Sequence, residues 1–190
     1  DAHIFVAPED MESEVIGVLE FVVKMLRTFG FDDFKAYIAT KPEKSVGDNT
    51  MWEQATQALK VAADKAGLAY GLDEGGGAFY GPKIDIKIKD ALDRSWQCST
   101  IQVDFHNPTQ FKLEYIAEDG KAHQPVMVHR ALLGSLERFF GVLVEHYAGA
   151  FPLWLAPVQA VVIPVSEKQQ AYGREVGEEL RKLGVRVEVD

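Results

Sequence analysis

The segment from Glu74 to Phe105 constrains the fold of this chain most. Ile84, Ile86 and Ile88 alternate with Asp85, Lys87 and Lys89, the two-residue period of a strand that buries one face. Asp90 to Arg94 reads as a turn, and the chain returns as a second strand. Strict alternation puts Trp96, Cys98, Thr100, Gln102 and Asp104 on one face of that strand and Gln97, Ser99, Ile101, Val103 and Phe105 on the other. Both faces carry polar groups, yet the large apolar residues place the strand inside the protein. Polar side chains within a sheet cost free energy unless something pairs with them. Two readings fit: a partly solvated antiparallel strand, or the polar floor of a ligand site.

Around this hairpin the periodicities alternate between strand and helix. Ala2 to Val6 reads as a strand. A helix follows, with Pro8 in its first turn, Glu9, Asp10 and Glu12 at its positive end, an apolar stripe from Val15 to Phe29 and Gly30 as its stop. Phe34 to Ala39 is a strand. A second helix is capped by Asp48 or Asn49, buries Trp52, Ala55, Leu59, Ala62 and Ala63, and ends at Gly67. Leu68 to Leu72 and Phe111 to Ala117 read as strands, Asp119-Gly120 as a tight turn, and Pro125 to His129 as a further strand. Ser135 to Ala148 reads as a helix with Leu136, Phe139, Phe140, Leu143, Val144 and Tyr147 on its apolar face. This is an α+β layout, an antiparallel sheet flanked by helices.

The character changes at Ala150 to Pro157, where two prolines and large apolar residues suggest an ordered linker. Val158 to Val165, Ser166 to Lys182 and Val185 to Val189 then read as strand, helix and strand, with capping-box spacing between Ser166 and Gln169. That is one βαβ unit of an α/β domain. One unit cannot cover both faces of a parallel sheet, so the domain is expected to continue past Asp190. The expected division is residues 1–156 and 157–190. The start without Met, in an apolar segment, suggests a piece of a longer protein.

Composition limits the function classes. A charge of −9 over 190 residues argues against broad electrostatic binding of nucleic acid but leaves room for a local basic patch. No apolar run is long enough to span a bilayer, and no secretory signal opens the chain. Cys98 is the single cysteine, which suits a reducing compartment.

Several residues could do chemistry. Glu74-Gly-Gly-Gly77 with Gly81-Pro82-Lys83 lacks the phosphate-loop pattern and leads into a strand, so it reads either as a loop device or as backbone that approaches a ligand closely. Lys83 could then neutralise a phosphate or carboxylate. His3 and His129 lie on strands. Each could be a structural hydrogen-bonder, or the two could converge on a metal, zinc needing at least one more protein ligand. Cys98 is a candidate by chemistry alone. Arg138 follows Gly134-Ser135 in a helical first turn, where it could clamp a phosphate or merely bridge Glu137 or Glu145. There is no Ser/His/Asp pattern and no spaced carboxylate pair. Catalysis by positioning and electrostatics suits nucleotidyl or phosphoryl transfer.

Seven segments together resemble the threonyl-tRNA synthetases of class II. They are Asp1-Ala-His-Ile-Phe, Lys41-Pro-Glu-Lys-Ser45, Gly77-Ala-Phe-Tyr-Gly-Pro-Lys-Ile-Asp85, Trp96-Gln-Cys-Ser-Thr-Ile-Gln-Val-Asp-Phe105, Val128-His-Arg-Ala131, Gly134-Ser-Leu-Glu-Arg-Phe139 and His146-Tyr-Ala-Gly-Ala-Phe-Pro-Leu-Trp-Leu-Ala-Pro-Val158. The resemblance covers the C-terminal part of the class II catalytic domain and the start of the anticodon-binding domain. It implies ATP-dependent activation of threonine to threonyl-adenylate, then transfer to tRNA(Thr), by a cytoplasmic homodimer. Arg138 would hold the ATP γ-phosphate, and Gln97 and Thr100 the adenosine. Lys83 would lie near the α-phosphate and the amino-acid carboxylate, and Asp1, Tyr80 and Gln102 around threonine. His3 and His129 match two zinc ligands, and Mg2+ would accompany ATP. In that family zinc binds the amino group and hydroxyl of threonine.

The same resemblance places a third zinc ligand, a cysteine, upstream of Asp1, together with motif 1 and the motif 2 arginine. Cys98 matches a non-ligating position, and serine editing belongs to an N-terminal domain. The 190 residues alone are therefore expected to be inactive. Two other readings remain: a non-catalytic synthetase-like protein that binds nucleotide, amino acid or RNA for regulation, and another class II synthetase such as the prolyl or seryl enzyme. The joint presence of His3, Lys83, His129 and Arg138 favours the enzyme, and the histidine pair favours threonine.

Overall fold

The structure is a computed structural model that describes residues 1–190. It divides into two compact units, Asp1–Leu143 and Val144–Asp190.

The first unit opens with β1 (Ala2–Val6), a single 3-10 turn over Pro8–Asp10 and α1 (Met11–Thr28). Gly30 stops this helix with a φ of 87°, a conformation without cost only for glycine. β2 (Phe34–Ala39) leads to α2 (Asn49–Lys65), whose cap is Asp48: its carboxylate accepts from the Met51 amide at 2.8 Å. Then come β3 (Tyr70–Asp73) and the central hairpin, β4 (Lys83–Lys89) and β5 (Ser95–Asp104). A short α3 (His106–Gln110) and the two-residue strands β6 (Tyr115–Ile116) and β7 (Ala122–His123) precede β8 (Val126–Ala131) and α4 (Leu136–Tyr147).

Six strands form one sheet in the order β1-β8-β5-β4-β2-β3, antiparallel throughout except between β2 and β3. Residues directly opposite one another share a face, so the register sorts the sheet. Ala36 and Ile38, Ile84, Ile86 and Ile88, Ile101 and Val103, and Val128 line one face and are buried. Helices α1 and α2 pack on each other and on this sheet, burying Val15, Leu19, Val22 and Leu26 with Trp52, Ala55, Leu59 and Ala62. The other face carries the polar groups.

In the first unit three expectations change. Phe111 to Ala117 is not one strand. Only Tyr115–Ile116 pairs, because Asp104 accepts from the amides of His106 and Asn107 and starts a helical turn, and Lys112 then takes a φ of 50° that ends it. The buried side of α4 is Phe139, Val142 and Leu143, whereas Leu136 and Phe140 are 70% and 60% exposed. Phe139 meets Phe29 and Phe31 edge-on, which sets the rotation of that helix. The third change, a bulge in β5, shapes the site and is described there.

The hairpin turn rests on Asp90. Its buried carboxylate accepts from the amides of Leu92 and Arg94 (both 2.9 Å), from Trp96 Nε1 (2.8 Å) and from the Arg94 guanidinium. Burial pushes this carboxyl up. The bonds from Trp96, Arg94 and Leu92 outweigh that effect and hold it well below its ordinary value of 3.8. A depressed carboxyl contributes stability that is complete above the unfolded value and is lost as pH falls toward the folded one. Asp90→Asn is therefore expected to melt lower than the parent at neutral pH, and the gap is expected to narrow below about pH 4. Melting curves of both proteins across that range check it; a gap that persists unchanged in acid would assign the loss to shape rather than charge.

The second unit holds β9 (Ala160–Val162), a 3-10 turn at Glu167–Gln169, α5 (Gln170–Lys182) and β10 (Val187–Val189), with β9 and β10 parallel as a βαβ unit requires. The strand expected over Val158 to Val165 is only three residues long, since Pro164 offers no amide to a ladder. Ser166 Oγ meets the Gln169 side chain but caps no backbone amide, so the capping box does not form. Gly173 and Gly177 are the buried residues of α5: a Cβ on either would meet Pro164 Cγ at 2.7 Å or Val189 Cγ2 at 2.5 Å. The linker before β9 is tied down by Arg186, which donates to the carbonyls of Ala156 (2.9 Å) and Trp154 (2.8 Å).

Candidate active site

The polar face of the sheet gathers nearly every candidate residue, and the bulge is what completes it. Ile86 faces Ser99, but Lys87 faces Gln97, so Cys98 is the extra residue in β5. Strict alternation separates Gln97 from Thr100; the bulge brings them to the same face. Gln97 Nε2 donates to Asp85 Oδ1 (2.7 Å) and to Thr100 Oγ1 (2.9 Å), and Thr100 Oγ1 donates to Asp85 Oδ1 (2.8 Å). Lys83 Nζ lies 2.7 Å from Asp85 Oδ2. Asp85 is thus the hub of a charge-compensated floor, and no buried side-chain polar atom of the protein lacks a partner. The polar groups in this strand stabilise one another, which explains how a central strand tolerates them.

Gln102 faces Lys83 on one side and His129 on the other, so it links the floor to the histidine pair. Tyr80 Oη donates to Gln102 Oε1 at 2.9 Å. Burial, and after it the charge of Asp104, push the Tyr80 phenol above its usual value, so it keeps the proton it donates. The loop carrying Tyr80 is held by close backbone packing. A Cβ on Gly77 would meet the Thr40 carbonyl at 2.5 Å, and one on Gly81 the Val103 carbonyl at 1.7 Å. The glycines of this loop serve that approach and make no phosphate loop.

His3 and His129 face each other across β1 and β8, their rings 4.7 Å apart and edge-on. With Asp1 they bring two imidazole nitrogens and a carboxylate oxygen within 4.8 Å of one another. The two imidazoles suit zinc, so the residues present fit the metal that the resemblance implies. His129 is 17% exposed, and its Nε2 lies 2.8 Å from Asp104 Oδ2. Tyr80 packs beside it, 5.8 Å between ring centres.

Arg138 reaches the far end of the floor. Ser135 Oγ accepts from its amide (3.2 Å), its Nη1 donates to the Gln97 carbonyl (3.0 Å), and its guanidinium sits 5.5 Å from the Trp96 ring centre. Gly134, at a φ of 71°, lets this turn approach β5: a Cβ there would meet the Cys98 carbonyl at 2.9 Å. Cys98 stands apart from the site. Burial pushes its thiol up to about 11, with Arg138 pulling weakly the other way, which leaves a protonated thiol and a poor metal ligand at neutral pH.

The sequence reading omitted Asp85, Asp104 and Asn107. Asp85 carries a faint signal, a carboxylate between two buried isoleucines. Asp104 carries one too, since an aspartate three residues before Asn107-Pro108 can start a turn.

Residues 1–147 match the family model for the tRNA synthetase class II core domain (G, H, P, S and T), and residues 159–190 match that for an anticodon binding domain. The threonine–tRNA ligase of Nitrosococcus oceani is 59% identical over 190 residues, all of this chain and 30% of that protein. That of Magnetococcus marinus is 56% identical over the same span, 29% of its length. Among solved structures, the RNA binding domain of threonyl-tRNA synthetase from Cryptosporidium parvum Iowa II superposes with a TM-score of 0.91 at 44% identity, covering 99% of this chain and 47% of that one. The chain thus spans about a third of the length of these curated relatives. It belongs to the class II tRNA synthetase core family, and its similarity to the threonyl-tRNA synthetases runs its full length.

Proposed function

We propose that the chain contributes half of the activation site of a threonine–tRNA ligase. The observation that carries this is the single polar face on which the bulge sets Gln97 beside Thr100, with Lys83, Gln102, Tyr80 and the histidine pair in register next to them. On this reading adenosine rests against Gln97 and Thr100. Lys83, already aligned by Asp85, meets the negative charge where the threonine carboxylate attacks the α-phosphate and pyrophosphate leaves. Arg138 holds the γ-phosphate and so orients that leaving group. No side chain need form a covalent intermediate, since positioning and electrostatic complementarity suffice for an in-line displacement. Mg2+ accompanies ATP. Tyr80, Gln102 and Asp1 surround the amino acid, while His3 and His129 supply nitrogen ligands. Zinc held there would supply Lewis acidity toward the amine and hydroxyl of threonine.

Residues 159–190, matching the anticodon-binding model, belong to the part that meets tRNA(Thr). A cytoplasmic homodimer fits the same reading. No helix is long and apolar enough to cross a membrane.

Specificity tests the proposal. Valine has nearly the shape of threonine without the hydroxyl. A site built to bind that hydroxyl rejects valine by about 10⁴-fold, whereas an apolar pocket reaches only about 10²-fold. The full-length protein is expected to support ATP–pyrophosphate exchange with threonine and to disfavour valine by the larger factor. Exchange that ignores the hydroxyl would remove the threonine assignment, and binding of ATP and threonine without exchange would favour a regulatory, non-catalytic protein.

A further inference from the structure

The Asp104 carboxylate has no solvent exposure, and an uncompensated buried carboxylate is costly. Three contacts are unambiguous donors. Oδ1 accepts from the amides of His106 (2.8 Å) and Asn107 (2.9 Å), and Oδ2 from Asn107 Nδ2 (2.7 Å). The fourth is His129 Nε2, 2.8 Å from Oδ2. A group already accepting from two amides and a carboxamide is an acceptor toward its last partner as well. The proton of a neutral His129 ring must therefore sit on Nε2, and the lone pair on Nδ1.

We infer that Asp104, braced by Asn107, is a positioning residue that fixes the tautomer and orientation of His129, so that Nδ1 is the nitrogen presented to the metal. This deepens the metal reading proposed above and rests on it. The bracing is local and rigid: Asp104 ends β5, and the backbone of α3 clamps one of its oxygens. The other oxygen is left for the imidazole. A carboxylate behind an imidazole ligand orients the ring and raises its basicity, and loss of such a partner weakens metal binding by about 10–100-fold.

Asp104→Asn keeps the size and offers one acceptor and one donor. The two backbone amides claim the oxygen, so the carboxamide NH2 turns toward His129. Nε2 must then accept, and the proton moves to Nδ1, the ligating atom. In the full-length protein, titrated with Zn2+ alone against a chelator, Asp104→Asn is expected to weaken zinc by about 10–100-fold, while ATP affinity stays the same. Nitrogen NMR of the labelled imidazoles is expected to show His129 protonated at Nε2 in the metal-free parent and at Nδ1 in the variant, a change that a purely structural role would not produce. Asn107→Ala, which keeps the carboxylate, is expected to weaken zinc less than Asp104→Asn and to leave the Nε2 tautomer in place. If Asp104→Asn does not fold, this variant and the tautomer of the parent decide: a parent ring protonated at Nδ1, or zinc affinity in Asn107→Ala equal to the parent's, overturns the inference. Zinc bound equally tightly by parent and Asp104→Asn overturns it while leaving the metal reading intact. A full-length parent that binds no zinc overturns both.

Discussion

Gly81→Ala is expected to destabilise the full-length protein by about 3 kcal/mol or more, a large effect for one added methyl group. The reason is backbone against backbone. An ideal Cβ at Gly81 lies 1.7 Å from the Val103 carbonyl oxygen and 2.8 Å from its carbon. No side chain is available to rotate away. The flanking residues are bonded to the same stretch of β5: the Val103 amide donates to the Pro82 carbonyl at 3.0 Å and the Phe105 amide to that of Tyr80 at 3.5 Å. Room for the methyl therefore requires breaking the ladder that leads into β4. That movement also takes Tyr80 away from Gln102, so, under the function proposed above, threonine activation is expected to fall further than folded protein alone accounts for. Gly17 is the contrasting case. It lies in α1 with nothing within 4 Å of an added Cβ, and Gly17→Ala is expected to stabilise by about 0.5–1 kcal/mol. Melting curves of the two variants read opposite signs if the close approach is the cause; equal, small changes would show that the loop yields.

The contrast bears on what is legible in the sequence. Elements whose partners are a face of simple periodicity can be read directly: α1 and α2 with their stops and cap, the β4–β5 hairpin, and the βαβ order of the second unit. What fails depends on a single residue acting out of phase or on a partner distant in sequence. The bulge at Cys98 inserts one residue into β5, and alternation carries no mark of it, yet it decides whether Gln97 faces the helices or the site. The stretch Phe111 to Ala117 looks like a strand, but the Asp104 side chain diverts the chain into a helical turn just before it. His3 and His129 are visible as strand histidines. Their meeting requires the register of β1 against β8, across most of the first unit. Resemblance supplies roles for the site residues, whereas the geometry supplies Asp85 and Asp104, the groups that hold those residues in place. Both are carboxylates flanked by apolar residues in strands, a pattern worth reading as a buried hub whenever cationic or donor residues lie on the neighbouring strands.

Arg138→Ala is expected to reduce kcat/KM for ATP in threonine-dependent exchange by about 10²–10³-fold, with the affinity for threonine nearly unchanged. Within the proposed activation reaction, Arg138 meets charge on the departing pyrophosphate. Preorganisation is visible in its present bonds: the guanidinium is anchored at one corner by the Gln97 carbonyl and lies beside Trp96. These contacts cost the arginine little mobility when ATP arrives and leave further N–H donors for phosphate oxygens. Arg138→Lys is expected to recover little, because an ammonium cannot hold the carbonyl and a phosphate with one planar fork. The anchoring also predicts a split. Losing the bond to Gln97 disturbs the carbonyl of a residue whose side chain meets the Asp85 hub, so part of the loss should appear in ATP binding rather than in the chemical step. Threonine lies toward the histidine end of the sheet in this reading, beyond Gln102, and should not register the change. Exchange rates measured over a range of ATP and threonine concentrations separate the two. An equal loss for both substrates would mean that Arg138 acts by holding α4 against β5, not by holding phosphate.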